Sequence, residues 1–343
     1  MKSALGNFTN GRTNNLDILR LFAALFVVFD HTVGDRSSFV LRDNIGQVGV
    51  LAFFFMSGFL VTQSYLRNEN PKRFAISRCL RIFPALVVVT IITAFVLGPI
   101  LTKLSLLNYF KSGGVYMYLT TLSLFNWHIF LPGVSQQFVM NGSLWTLQYE
   151  VMFYIAVLVL GLAGLFKKGY LLLGATIVSL IFIQLTLRFN DTTDLLNIYQ
   201  AIRLFAYFGL GATTYLYRKY IPLNKWLLIS FVVMLFAGLF FGGLPTALFA
   251  FPLAYIIIFV GYKPTINLRD LTELGDFSYG IYIWHFPIMI TLVYAFNFHF
   301  NFRLFTTDIA FTLPIAVASW YLIEKRMLKL KERLKTVPIP ITT

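Results

Sequence analysis

Leu16-Asp17-Ile18-Leu19-Arg20-Leu21-Phe22-Ala23-Ala24-Leu25-Phe26-Val27-Val28-Phe29-Asp30-His31 opens the first long apolar run and sets ionisable groups inside it. Arg20 and His31 are eleven residues apart. At ~100° per residue that is three helical turns to within about 20°, so both side chains leave one face, about 16 Å apart along the axis. Ionisable groups within a membrane-length helix are costly and usually mark a site or pathway. The plainer alternative is that Arg20 snorkels to the inner interface and His31 caps the outer end.

Composition widens this reading to the whole chain. Hydrophobic residues make up 58% and charged residues only 12%, about half the share in an ordinary globular domain. An integral membrane protein is expected. The first run is too long for a signal-peptide core, carries an arginine and lacks a small-residue cleavage pattern, so it reads as a permanent span. About 20 mostly apolar residues cross a bilayer. Such segments fall near 17–36, 46–66, 82–101, 144–166, 169–187, 199–217, 225–241, 245–261, 278–297 and 306–323. The expected fold is all-α: a polytopic bundle of about ten transmembrane helices in one domain, 1–343, with a tail over 324–343. The single cysteine, Cys79, excludes an intramolecular disulfide and reads as a small buried apolar residue.

Basic residues orient the bundle. Of the 28 Lys and Arg residues, 20 fall in gaps on the amino-terminal side, six on the opposite side, and two, Arg20 and Arg203, within spans. By the positive-inside rule both termini are expected in the cytoplasm. The net charge of +14 is therefore mostly a topology signal. It requires no nucleic-acid partner, and no nucleic-acid motif accompanies it.

With that orientation the polar residues sort by depth. The fourth span runs inward from Asn141-Gly142-Ser143-Leu144-Trp145-Thr146-Leu147-Gln148-Tyr149-Glu150, which puts Glu150 about two turns below the outer surface, near the depth of His31. A buried carboxylate must find a partner or take up a proton. His31 is one candidate partner and Arg203 the other. Asp30 points about 100° away from His31 and serves another face.

Towards the cytoplasm, Pro71-Lys72-Arg73-Phe74-Ala75-Ile76-Ser77-Arg78-Cys79-Leu80-Arg81 places Arg78 and Arg81 one turn apart if the segment is helical. Guanidinium forks suit phosphate oxygens; an ordinary positive-inside cluster is the other reading. In the ninth span, Ser278-Tyr279-Gly280-Ile281-Tyr282-Ile283-Trp284-His285 lets Tyr282 and His285 share a face, either lining a path or making structural hydrogen bonds. Asp276 and Ser278 suit a helix start. His128 and His299 fall in outer loops with no role assigned, and no metal-ligand spacing is present.

Together, Arg20-x10-His31, Phe54-Phe55-Met56-Ser57-Gly58-Phe59-Leu60, Arg78-Cys79-Leu80-Arg81-Ile82-Phe83-Pro84, Leu144-Trp145-Thr146-Leu147-Gln148-Tyr149-Glu150 and Ser278 to His285 resemble the acyltransferase 3 family of integral membrane acyltransferases. Glu324-Lys325 fits the same pattern, and the resemblance runs from about residue 14 to 326. It implies transfer of an acyl group, commonly acetyl from acetyl-CoA, to a hydroxyl on an extracytoplasmic glycan or a small molecule, by an enzyme of the cell membrane. Some members carry an added extracytoplasmic hydrolase-like domain, which here would be a separate partner or not needed.

The expected mechanism has Arg78 and Arg81, with Arg20 as a third candidate, holding the phosphates of acyl-CoA, while Tyr282 and His285 line the donor path. His31, a side-chain type that titrates near physiological pH, acts as general base on the acceptor hydroxyl. Glu150 orients it. An acylated His31 is a variant. Ser57-Gly58 is read as a close helix approach rather than a nucleophile. The outer loop 102–143, with Tyr109, Tyr116, Tyr118, Trp127 and His128, offers aromatic rings for a carbohydrate. A transporter or lipid flippase is the alternative class; it favours broken helices and repeat symmetry, and neither is evident.

Overall fold

The computed structural model describes residues 4–9, 14–33, 45–68, 70–125, 130–134, 139–186, 193–240, 246–263 and 275–333. The described residues are helical, with one isolated bridge between Ala4 and Pro222. The helices are α1 (Leu16–Val33), α2 (Ile45–Leu66), α3 (Pro71–Ile92), α4 (Gly98–Leu101), α5 (Leu106–Lys111), α6 (Gly113–Tyr118) and α7 (Leu147–Leu162). They continue with α8 (Gly169–Thr186), α9 (Thr193–Leu216), α10 (Lys225–Phe240), α11 (Thr246–Tyr262), α12 (Ser278–Phe296), α13 (Phe302–Ser319) and α14 (Lys325–Arg333). Each apolar segment read from the sequence coincides with a helix over its described residues. Among the described residues, six stretches are long and apolar enough to cross a membrane: Ile45–Leu66, Pro71–Leu101, Gly142–Leu162, Leu165–Thr186, Ser278–Phe296 and Phe302–Leu330. This is a multi-pass membrane protein.

Two expected boundaries move. The helix placed at 82–101 begins at Pro71, where the Asn70 side chain accepts from the Arg73 N–H at 3.0 Å and Pro71 occupies the first turn. That cap and a first-turn proline start the helix ahead of the apolar run. The helix placed at 306–323 starts at Phe302, capped by Asn301, and runs through a π-turn at Trp320–Glu324 into α14. Cys79 also departs from expectation: it is exposed on α3, not buried.

The chain divides into two compact units, each assembled from two stretches of sequence. The first comprises Met1–Glu69 and Tyr149–Ser278. Its centre is α2 packed between α1 and α9, with α8 against α9, and α10 and α11 against one another. Glycines set this packing. A Cβ on Gly58 would lie 1.9 Å from the Phe208 carbonyl oxygen, and one on Gly211 would lie 2.0 Å from that of Phe55. The α2 and α9 backbones therefore touch, as small residues permit between membrane helices, and the Ser57-Gly58 reading holds at Gly58. Around this contact Phe55, Met56, Phe59, Tyr215, Ile258 and Tyr262 form one buried cluster.

The second unit comprises Asn70–Gln148 and Tyr279–Thr343. Here α3 packs against α14, and the Tyr279 hydroxyl donates to the Ile82 carbonyl at 2.8 Å. Tyr109 and Tyr118 are buried in its core with Met140, Met289 and Leu304. The Tyr109 hydroxyl donates to the Ala94 carbonyl at 2.7 Å. Burial pushes its pKa up to about 12, so it stays a neutral donor.

Candidate active site

In the first unit, Arg20, Ala24, Val27 and His31 follow one another at four-three-four spacing along α1, the stripe that faces a neighbour. Ala24 and Val27 are buried, Arg20 and His31 half-buried, while Phe22 and Phe26 point outward. The shared face expected for Arg20 and His31 is thus turned into the unit. Arg20 Nη1 lies 3.0 Å from Asp276 Oδ2. The other carboxylate oxygen, Oδ1, accepts from the Ser278 N–H at 3.3 Å and from the Ser278 hydroxyl, so Asp276 both starts α12 and neutralises Arg20. Asp30 leans on α2, where a Cβ at Gly46 would lie 2.7 Å from its own Cβ.

Glu150 is half-buried and accepts a hydrogen bond from the hydroxyl of Tyr154, one turn further along α7. Its carboxylate is engaged within its own helix. Arg203, the other candidate partner, is buried on α9.

In the second unit, Arg78 and Arg81 are half-buried on α3. The helical start at Pro71 supplies the one-turn spacing that their convergence requires. The Arg78 guanidinium sits over the Phe74 ring at 5.6 Å, and that of Arg81 over the Tyr279 ring at 5.9 Å. Each guanidinium thus has a cation–π contact with an aromatic ring of the same unit.

Tyr282 and His285 are buried on α12, and each meets the short 3₁₀ segment Gly142–Thr146 that leads into α7. The Tyr282 hydroxyl is 2.7 Å from Thr146 Oγ1, and His285 Nε2 is 2.9 Å from Ser143 Oγ. Asn141 Nδ2 donates to the Ile283 carbonyl at 2.9 Å. A Cβ on Gly142 would lie 2.7 Å from the Phe286 ring, so glycine is what lets the segment approach. On the far side of the imidazole, His285 Nδ1 faces Asp308 Oδ2 of α13 at 3.7 Å. Asp308 Oδ1 accepts from Thr312 Oγ1 at 2.9 Å.

Sequence reasoning missed Ser143 and Asp308. Asp308 carried a usable signal, a carboxylate inside an apolar span; Ser143 carried none. The outer loop also departs from expectation, because Tyr109 and Tyr118 pack inward and only Tyr116 is exposed. Trp127 and His128 lie outside the described residues. A cavity of about 530 Å³ nearby is lined by Lys103, Phe130, Pro132, Gly133 and Tyr294. Among the described residues no group of three or more His, Cys, Asp or Glu side chains is placed to hold a metal ion.

A family model described as an acyltransferase domain, Acyl_transf_3, matches residues 13–324. The chain belongs to the acyltransferase 3 family. Similar proteins include "Nodulation protein 10" of Rhizobium leguminosarum bv. viciae, 29% identical over 95% of this chain and 96% of that protein. The "O-acetyl transferase" of Shigella phage Sf6 is 28% identical over 92% and 96%. The "Putative membrane-bound transacylase BcsY" of Komagataeibacter xylinus is 23% identical over 95% and 86%. No solved structure matches the chain. This acyltransferase 3 member is a membrane acyltransferase.

Proposed function

We propose that the protein moves an acyl group, acetyl first among the candidates, from cytoplasmic acyl-CoA to a hydroxyl of an extracytoplasmic glycan or glycan precursor, in the cell membrane with both termini cytoplasmic. The observation that carries this reading is the inward-facing stripe Arg20, Ala24, Val27, His31 on α1, within a chain that matches the family along 13–324. An O-acetyl transferase among the relatives supports a hydroxyl acceptor.

In this reading His31 is the general base that takes the acceptor's hydroxyl proton as its oxygen attacks the thioester carbonyl. Glu150, steadied by Tyr154, keeps a negative charge available to the resulting imidazolium. Arg78 and Arg81, which lie over the Phe74 and Tyr279 rings, hold donor phosphates. Arg20 is a third candidate for the donor, and its pairing with Asp276 makes any phosphate compete with a resident carboxylate. Tyr282 and His285 border the donor's path through their helix.

The test is purified wild type beside His31→Ala, measured for acetyl-CoA binding and for acetylation of a carbohydrate acceptor with release of free CoA. Retained binding with abolished transfer is expected. Near wild-type transfer by His31→Ala overturns the assignment of the base. A wild-type protein that releases no CoA and moves acceptor across vesicles instead returns the transporter reading.

A further inference from the structure

Ser143 and Asp308 meet the two ring nitrogens of His285. Ser143 Oγ is 2.9 Å from His285 Nε2, and His285 Nδ1 is 3.7 Å from Asp308 Oδ2. All three are buried, at 1%, 0% and 0% exposure. Thr312 fixes Asp308 through Oδ1, and Oδ2, which takes no hydrogen bond among the described residues, is the oxygen turned to the imidazole. With Nδ1 protonated towards that carboxylate, Nε2 is left to accept the Ser143 hydroxyl. At 3.7 Å Asp308 Oδ2 is beyond hydrogen-bond distance of Nδ1 but faces it as a counter-charge, and a hydroxyl on an imidazole backed by a carboxylate is the general arrangement of an activated oxygen nucleophile.

We propose that Ser143 carries the acyl group between donor and acceptor; this rests on the acyl-CoA donor reading above and replaces the acceptor's direct attack on the thioester with two successive transfers. In the first step Ser143 Oγ attacks the thioester carbonyl while its proton passes to His285 Nε2. The carbon–sulfur bond breaks, and that proton leaves on the thiol of CoA. In the second step the acceptor oxygen attacks the Ser143 ester, the carbon–Oγ bond breaks, and the acceptor's proton ends on Ser143 Oγ. No co-reactant is needed in either step.

Two further observations favour this. His285 lies about 10 Å from the first residue of α12 and about 16 Å from its last at 1.5 Å per residue. An acyl group crossing a hydrocarbon core about 30 Å thick thereby gains a resting point near half way. Burial also keeps bulk water from the ester, which separates transfer from hydrolysis.

The experiment incubates purified full-length protein with radiolabelled acetyl-CoA without acceptor, then locates the label by peptide mass. Label on the Ser143 peptide is expected, chased by acceptor. Ser143→Ala should lose it, with transfer slowed at least about 100-fold. Ser143→Cys should carry the label as a thioester that neutral hydroxylamine removes, and it answers the question if the alanine variant does not fold. Asp308→Asn should slow the labelling more than it weakens donor binding. Transfer by Ser143→Ala within a few-fold of wild type overturns the proposal, as does wild-type transfer with label absent from Ser143. Wild type that transfers nothing from acetyl-CoA overturns the donor reading itself, and this inference falls with it.

Discussion

The two units place their ionisable groups in opposite ways. In the first, Arg20 and His31 sit eleven residues apart on one helix, and backbone contact through Gly58 and Gly211 packs the helices around them. In the second, Ser143 and Asp308 reach His285 from two other segments, and the same polar contacts that form the cluster also join its helices. The difference separates what a helix does by itself from what tertiary packing does. One arrangement follows from helical periodicity alone, and the other exists only once three segments meet.

The sharpest way to break this comparison is at the glycine contact. Gly58→Leu drives a side chain into the Phe208 carbonyl, where even a Cβ would sit at 1.9 Å. Loss of folded protein is expected, by size-exclusion profile in detergent, because backbone cannot give way as a flexible side chain can. Next, His31→Ala should lower kcat by about 10²- to 10⁴-fold with donor binding kept, as loss of a general base does; steady-state kinetics against acceptor reads it. Arg81→Lys keeps the charge but loses the planar fork over Tyr279, so the donor KM should rise about tenfold with kcat little changed. Smallest, Asn70→Ala removes the cap of α3 and should cost about 1 kcal/mol, read as a lowered Tm with transfer intact.

Legibility followed the same division. The apolar runs gave the helices because composition and length decide membrane helices, and Arg20 with His31 needed only the 3.6-residue repeat. Arg78 and Arg81 depended on the segment being helical, a condition that Asn70 and Pro71 meet. What escaped was pairing. Glu150 also takes a hydrogen bond from Tyr154 one turn away, a partner that i,i+4 spacing already offers. Asp276, read as a helix start, also neutralises Arg20 across 256 residues of sequence. Tyr109 is one of the outer-loop rings that offer themselves to a carbohydrate in the sequence; its phenol instead fills the second unit's core.

Cys79 stands exposed on α3, one residue from Arg78 and two from Arg81, and it is the chain's one thiol. The protein therefore carries its own reporter, with no background cysteine to remove. A bulky, membrane-impermeant maleimide should mark it in inverted vesicles and spare it in intact cells if this end of α3 faces the cytoplasm; the reverse pattern would turn the assigned orientation over. Added CoA should slow the same alkylation if the neighbouring guanidinium groups take its phosphates, so one reagent reads sidedness and donor occupancy together.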